Sequence, residues 1–143
     1  MKQKFSTKWK ASKQRRKQRK YRANAPLHLR HKLMSANLSE DLRKKYSRKS
    51  FPVRKGDNVR VMRGKFKGKT GKINNVNLMK MRVSIEGIQV QKKDGTKVNV
   101  YFNPSNLQIN ELNLDDIKRI KVLDKKQAKE DKKEEKKNAP KKE

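Results

Sequence analysis

Residues 51–112 alternate apolar and polar side chains in short runs that are typical of β-strands. The clearest runs lie at residues 58–61, 83–85, 98–102 and 107–109. Successive side chains of a strand point to opposite faces, so this period of two gives each run one apolar face. Turn sequences separate the runs, among them Lys55-Gly56-Asp57, Glu86-Gly87, Asp94-Gly95 and Asn103-Pro104. Several short strands at close spacing predict a mainly β fold, as a small barrel or sandwich.

Two short helices are predicted between residues 25 and 50. Pro26 fits the first position of one helix, and leucines follow it at positions 27, 29 and 33. Ser39 is a good N-cap for the second, with acids at 40 and 41 and bases at 43 to 45 that match the helix dipole. Leu38, Leu42 and Tyr46, spaced by four, give this helix one apolar face to pack on a core.

The two ends of the chain carry little apolar sequence. Residues 1–24 are nearly all basic and polar, and they lack the apolar stripe of a membrane-surface or partner-binding helix. We therefore expect an arm that is disordered in isolation and becomes ordered when it binds the phosphates of a nucleic acid. A helix is possible at residues 114–120, before a charged tail. The expected organisation is a basic extension at 1–50, a barrel at 51–112, and a short helix with a charged tail at 113–143.

The composition predicts a partner. The chain of 143 residues has a formal net charge of +29, with 31% hydrophobic and 40% charged residues, and residues 1–50 carry +16 of that net charge, from 18 Lys and Arg and 2 acids. Because such charge opposes compaction, we expect a polyanion, above all nucleic acid, to be part of the native state. The absence of cysteine excludes disulfides, thiol catalysis and cysteine-ligated zinc. No run is apolar enough for a membrane span or a signal peptide, so we expect a soluble intracellular protein.

The stretch GKFKGKT at residues 64–70 ends like a nucleotide-binding P-loop but lacks its spacing. A P-loop has a glycine five positions before Gly68, and Arg63 occupies that position. The residues after Thr70 are poor helix formers, whereas a P-loop leads into a helix. The stretch therefore does not indicate a nucleotide hydrolase.

Residues 55–73 closely resemble a KOW motif, in which a Gly-Asp pair leads into a strand, a basic glycine-punctuated loop and a second strand. Gly64 and Gly68 allow a tight loop with positive φ, and Gly71 allows close backbone approach where the second strand begins. KOW motifs occur on small SH3-like β-barrels of ribosomal proteins and transcription elongation factors. By itself the motif implies an RNA-associated barrel.

The sequences that flank the motif resemble one family of ribosomal proteins. It is the KOW-containing L twenty-four family of the large subunit, called L twenty-six in eukaryotes, in its archaeal and eukaryotic branch. The similarity extends over roughly residues 20–120. The segments that carry it are 24–28, 32–35, 38–46, 48–50, 52–55, 84–88, 94–96, 103–107 and 112–115.

This resemblance implies a structural constituent of the large ribosomal subunit in the cytoplasm. Such a protein would bind 23S-type rRNA in its 5′ region, support early subunit assembly and lie near the polypeptide exit tunnel, beside other ribosomal proteins. No enzyme activity, cofactor, small-molecule substrate, membrane contact or homo-oligomer is expected. The alternative is a KOW module of a transcription elongation factor, although residues 1–50 are too short and too basic for the mixed α/β domain of such factors. A nucleoid or RNA-chaperone protein would fit the charge but would leave the flanks unexplained.

The residues expected to bind rRNA form two groups. Those of the extension are Lys8, Trp9, Lys10, Lys13, Arg15, Arg16, Lys17, Arg19, Lys20, Tyr21, Arg22, Arg30 and His31. Those around the glycine loop are Arg54, Lys55, Arg63, Lys65, Lys67, Lys69 and Lys72. The cations are suited to phosphates.

The aromatic side chains leave two interpretations open. Trp9 and Tyr21 either stack on unpaired bases or pack against protein, and Phe66 either enters a groove or caps the barrel.

No catalytic or metal-binding constellation emerges from the sequence. His28 and His31 lie three apart, but a zinc site needs three or four ligands and the sequence has no further His or Cys. The acids Asp57, Glu86 and Asp94 stand beside glycines at turns, where such residues are ordinarily structural.

Overall fold

The computed structural model describes residues 3–124, and its main feature is a mixed sheet of seven strands. The strands are β1 Ser35–Leu38, β2 Ser50–Pro52, β3 Asn58–Val61, β4 Thr70–Asn77, β5 Arg82–Gln91, β6 Lys97–Phe102 and β7 Leu107–Glu111. Their order across the sheet is β2-β1-β7-β3-β4-β5-β6. The pair β1 and β7 is parallel, and the other neighbours are antiparallel. The prediction of a mainly β fold is confirmed.

Helices lie before, between and after the strands. They are α1 Arg15–Asn24, α2 Leu27–Leu33, α3 Glu40–Tyr46 and α4 at residues 117–124. Short 3-10 turns occur at Thr7–Ala11 and Pro104–Asn106. The predicted helix at 114–120 thus begins three residues later than expected, and the charged tail at 125–143 lies outside the described residues.

The alternating apolar residues form the core. Val59 and Val61 of β3, together with Ile109 of β7, are fully buried, whereas Arg60 between the two valines is exposed. The remaining buried core residues come from most of the strands, from α3 and from α4: Met34, Ala36, Leu38, Tyr46, Phe51, Val53, Ile73, Val83, Ile85, Ile88, Phe102, Leu107 and Leu123. The period of two therefore identified the inward faces of β3 and β7, but it was wrong in β5, where Ser84 is buried between Val83 and Ile85, and in β6, where Val98 is 39% exposed.

Strand β1 was not predicted, and it changes the expected organisation. Asn37 pairs with Gln108 and Leu38 with Ile109, so β1 adds to the sheet alongside β7. Strand β1 and the first residue of β2 precede residue 51. Part of the segment expected to be an extension therefore belongs to the sheet.

Helix α3 forms as its sequence predicts. The Ser39 hydroxyl accepts a hydrogen bond from the Leu42 amide at 3.4 Å, and the helix ends where Ser47 adopts a left-handed conformation with φ of 49°. Tyr46 is buried and Leu42 packs against the core. Leu38, which was assigned to the same helical face, is buried in strand β1 instead.

Candidate nucleic-acid interface

The glycine loop between β3 and β4 is a tight turn held by backbone hydrogen bonds. Both Gly64 and Gly68 have φ of +88°, as expected for glycines in such a turn. The Gly68 amide donates to the Val61 carbonyl at 2.8 Å, and the Val61 amide donates to the Lys69 carbonyl at 2.8 Å. These bonds continue the β3–β4 pairing into the loop, which gives its side chains a defined direction.

Phe66 points inward and the charged residues of the loop point outward. The Phe66 ring packs edge-on against Phe102 with centroids 6.0 Å apart, so it caps the core, as one of the two interpretations stated. Arg63, Lys65, Lys67 and Lys69 are all exposed. The turn thus presents a row of cations anchored by one partly buried aromatic ring.

Three more cations that the sequence predicts to bind rRNA lie in strand β4 and in the β2–β3 connection. Lys72 of β4 pairs with Asn58 of β3 and is exposed, as are Arg54 and Lys55. Arg54 forms an ion pair with Asp116, so its charge is partly neutralised within the chain. The backbone amide of Lys118, and then Arg54, hold the pKa of the Asp116 carboxyl below its usual value. Of this group, Arg54 is the least available for a phosphate.

Helix α1 is held in place by side chains that the sequence did not single out. Gln18 donates from its amide nitrogen to the carbonyls of Trp9, Lys10 and Ser12 at 3.0, 3.0 and 2.7 Å, which folds the preceding 3-10 turn back onto the helix. Phe5 stacks on Tyr21 with ring centroids 5.3 Å apart. Helix α1 therefore lies against the preceding segment without needing an apolar stripe.

The cations of α1 and of the turn before it are presented to solvent. Lys8, Lys10, Lys13, Arg15, Arg16, Lys17, Arg19 and Arg22 are exposed, and Lys20 is half-buried. None of them forms an ion pair with another part of the chain that the structure describes. This surface carries uncompensated positive charge on a regular element.

The first turn of α1 places cations at the positive end of the helix dipole, whereas Arg22 in its last turn suits the negative end. Its first turn contains no acid and begins with Arg15, Arg16 and Lys17. The positive end of a helix disfavours cations and attracts anions. Helix α3 instead has acids in its first turn and bases in its last. An anionic partner at the start of α1 would relieve this repulsion.

Two of the predicted contact residues lie in other surroundings. Tyr21 is buried and stacks on Phe5, as in the interpretation that it packs against protein. Trp9, the other aromatic residue of this group, is half-exposed. Arg30 donates to the carbonyls of Ala23 and Ala25, so it fixes the corner between α1 and α2. We leave Tyr21 and Arg30 out of the proposed interface.

His31 lies exposed at the mouth of a separate cleft of about 450 Å³. Phe51 and Val53 line this cleft, together with Arg48 and the predicted contact residue Arg54. The structure thus places His31 and Arg54 in one cleft. No sequence motif connects these two residues, because they lie far apart in the chain.

The part of the chain that the structure describes contains neither a metal-binding cluster nor a membrane-spanning helix. Residues 3–124 contain no cluster of three or more His, Cys, Asp or Glu side chains able to hold a metal ion. Within the same residues no helix is long and apolar enough to cross a membrane. Asp57 is buried in an ion pair with Arg119, which agrees with its interpretation as a structural residue.

The fold and this surface define a small β protein with a strongly basic exterior, a class that suits a polyanionic partner. Residues 12–126 match the model of a ribosomal protein family that comprises L26 of eukaryotes and its archaeal counterpart, L twenty-four. The chain is also 50% identical, over 115 residues, to the large ribosomal subunit protein uL24 of Methanosphaera stadtmanae, a match that covers 80% of this chain and 98% of that protein. The chain belongs to this family of ribosomal proteins, and its role is structural and not enzymatic.

Proposed function

We propose that the chain is a structural constituent of the large ribosomal subunit and binds its 23S-type rRNA. The observation that carries this proposal is the exposed, unpaired cation surface of α1, whose first turn has an unfavourable charge without an anion. Exposed lysines of the glycine loop supply a second group of phosphate contacts. Family membership supports a ribosomal setting over a transcription factor, and with it a cytoplasmic location.

The interface is proposed to comprise the exposed cations of residues 8–22 and those of residues 63–72, with Trp9 stacking on an unpaired base. Phosphate contacts fix the position of a protein on RNA, whereas stacking on splayed bases adds preference for a particular RNA region. Lys55, Arg54 and His31 would contribute at the edge of this surface. Neighbouring large-subunit proteins would cover further parts of the exterior.

We also propose that the sheet is an SH3-like barrel. The register shifts within β3, β4 and β5 support it, since bulges bend strands and allow a sheet to curl around one core. A compact core with a preformed basic exterior is suited to early binding, and we propose that the chain binds the 5′ region of the rRNA during assembly and ends near the exit tunnel.

Removing charge from α1 tests the proposal. A variant with Arg15→Gln, Arg16→Gln and Arg19→Gln should bind large-subunit rRNA more weakly, and its slope of log affinity against log salt should be shallower by about 2 to 3. The matched control, called the hairpin control, is Lys92→Gln and Lys93→Gln in the connection of β5 and β6, together with Lys97→Gln at the first residue of β6, and all three lysines are exposed. The proposal is wrong if the α1 variant binds as tightly as the unchanged chain, with the same slope.

A further inference from the structure

We propose that a cleft between α1 and the β4–β5 turn holds a single splayed nucleotide of the bound RNA. The cleft has a volume of about 350 Å³, which lies in the range of small-ligand sites. Most of its polar residues, including Lys80, Arg82, Asn103 and Ser105, belong to neither of the two cation groups described above. The inference rests on the proposed function, because it specifies one contact within the RNA complex.

The pairing of strands brings these residues together. Asn77 pairs with Arg82 across the β4–β5 turn, and the Asn77 side chain accepts a hydrogen bond from the Lys80 amide at 2.9 Å, which shapes this turn. Val83 pairs with Phe102, so Arg82, one residue before Val83, and Asn103, one residue after the end of β6, lie at the same end of this antiparallel pair. Arg22 reaches the same cleft from α1. With Leu33 and Met34 after α1, four separate segments of the chain thus line one opening.

The charged wall of the cleft is suited to a phosphate. Arg22, Lys80 and Arg82 line the cleft and are exposed, and no acidic residue lines it. None of the three forms an ion pair with any residue in the described range 3–124. Converging arginine and lysine side chains without a carboxylate favour phosphate, and arginine can bind it through two parallel hydrogen bonds.

Three methionines also line the cleft. Met34 is buried, Met81 is partly buried, and Met79 is 75% exposed. The Met79 sulfur accepts a hydrogen bond from the Arg30 guanidinium at 2.9 Å, which holds this side chain in place. Met81 has a φ of 51°, a left-handed conformation that is uncommon for a residue other than glycine and that turns the chain at the cleft. Methionine is flexible and polarizable, so it packs well on a flat heteroaromatic ring. An exposed methionine beside a phosphate site is suited to a base.

Polar groups at the rim are suited to the edge of that base. Asn103 and Ser105 are both exposed where the 3-10 turn Pro104–Asn106 begins. The Asn103 side-chain oxygen accepts from the Ser105 amide at 3.5 Å, and its side-chain nitrogen has no partner among the residues that the structure describes. Amide side chains read bases of single-stranded RNA by such hydrogen bonds. The cleft therefore offers cations for the phosphate, methionines for the ring of the base and polar groups for the edge of the base.

The test is chemical probing of large-subunit rRNA bound to the full chain and to cleft variants. The charge variant is Lys80→Gln with Arg82→Gln, and the neutral variants are Met79→Ala and Asn103→Ala. We expect each to bind roughly three- to tenfold more weakly and to lose protection at one shared nucleotide. The salt slope should fall by about 1 to 2 for the charge variant and stay unchanged for the neutral ones.

Matched controls remove the same groups outside the cleft. Lys92→Gln with Lys93→Gln removes two exposed lysines, and Val90→Ala shortens an exposed apolar side chain of β5. Both should keep the protection of that nucleotide. Urea unfolding of every variant would establish that the fold is retained, which is expected because the substituted side chains are exposed.

Three results would overturn the inference. If the cleft variants keep the full protection pattern while the α1 variant loses affinity, the cleft is empty in the complex and the proposed function stands. If only the charge variant weakens binding, the cations neutralise phosphate and no base enters the cleft. If the unchanged chain shows no salt-dependent binding to large-subunit rRNA, the proposed function fails first and the cleft inference with it.

Discussion

Asp57 and Arg119 form a buried ion pair that joins the start of β3 to α4. The guanidinium donates to both carboxylate oxygens at 2.6 and 2.7 Å, and the two side chains are 0% and 3% exposed. Asp57 also accepts from the backbone amides of Arg54 and Asn113. A buried charge with this many donors is well compensated, and loss of its main partner leaves it uncompensated.

Arg119→Ala should therefore destabilise the fold by about 3 to 5 kcal/mol, measured by urea unfolding. Arg54→Ala is the matched control, because it breaks another arginine–aspartate pair whose arginine side chain is 56% exposed, and it should change stability little. Equal stability of the two variants would show that the buried pair does not hold α4 to the sheet.

The sequence identified Asp57 as a structural residue at a turn but did not identify its partner. Arg119 lies 62 positions away, close to Lys118 and Lys121, and no local pattern distinguishes it from these cations. Such an ion pair depends on how the ends of the sheet come together in space. The periodicity of a single sequence carries no information about that arrangement.

At the scale of elements, α1 combines a fixed position with an unfavourable charge in its first turn. Gln18 is the side chain that ties the preceding turn to it, through three carbonyls. Gln18→Ala should release residues 7–12, with faster amide hydrogen exchange there and little change in the sheet. Gln14→Ala, one turn earlier and exposed, is the control and should leave exchange unaltered. Unchanged protection in the Gln18 variant would show that other contacts hold this turn.

The glycine loop allows a second test at this scale. Replacing Lys65, Lys67 and Lys69 with Gln should leave the fold intact, because these side chains are exposed and the turn is held by backbone bonds. Affinity for rRNA should fall, and the salt slope should become shallower by about 2 to 3. Binding curves at several salt concentrations, compared with the hairpin control, measure this. An unaltered slope would mean that the loop does not face RNA.

Sequence patterns predicted the elements whose signals are local. Helix α3 follows from the Ser39 cap and its charge order, and the inward faces of β3 and β7 follow from alternation. Strand β1 was missed because its parallel pairing with β7, far along the chain, leaves no local signal in the sequence. The residues of the glycine loop were enough to predict a basic turn. The proposed nucleotide cleft has no sequence motif, and recognising it requires knowledge of how β5 and β6 pair.

At the scale of the whole molecule, the net charge of +29 is the dominant property. A folded domain of this charge repels itself, and binding to RNA relieves that repulsion while releasing condensed counterions. We therefore expect rRNA to raise the midpoint of thermal unfolding, with an effect that shrinks as salt increases. Differential scanning fluorimetry with and without large-subunit rRNA would measure it. A midpoint that does not respond to rRNA would contradict this account.

The most direct test of the central claim is protein–RNA crosslinking in large subunits isolated from cells on a sucrose gradient. We predict that the chain sediments with the large subunit and that residues 8–22 and 63–72 crosslink to its rRNA. If the chain sediments apart from large subunits, or crosslinks to their rRNA only through other surfaces, the proposed interface is wrong.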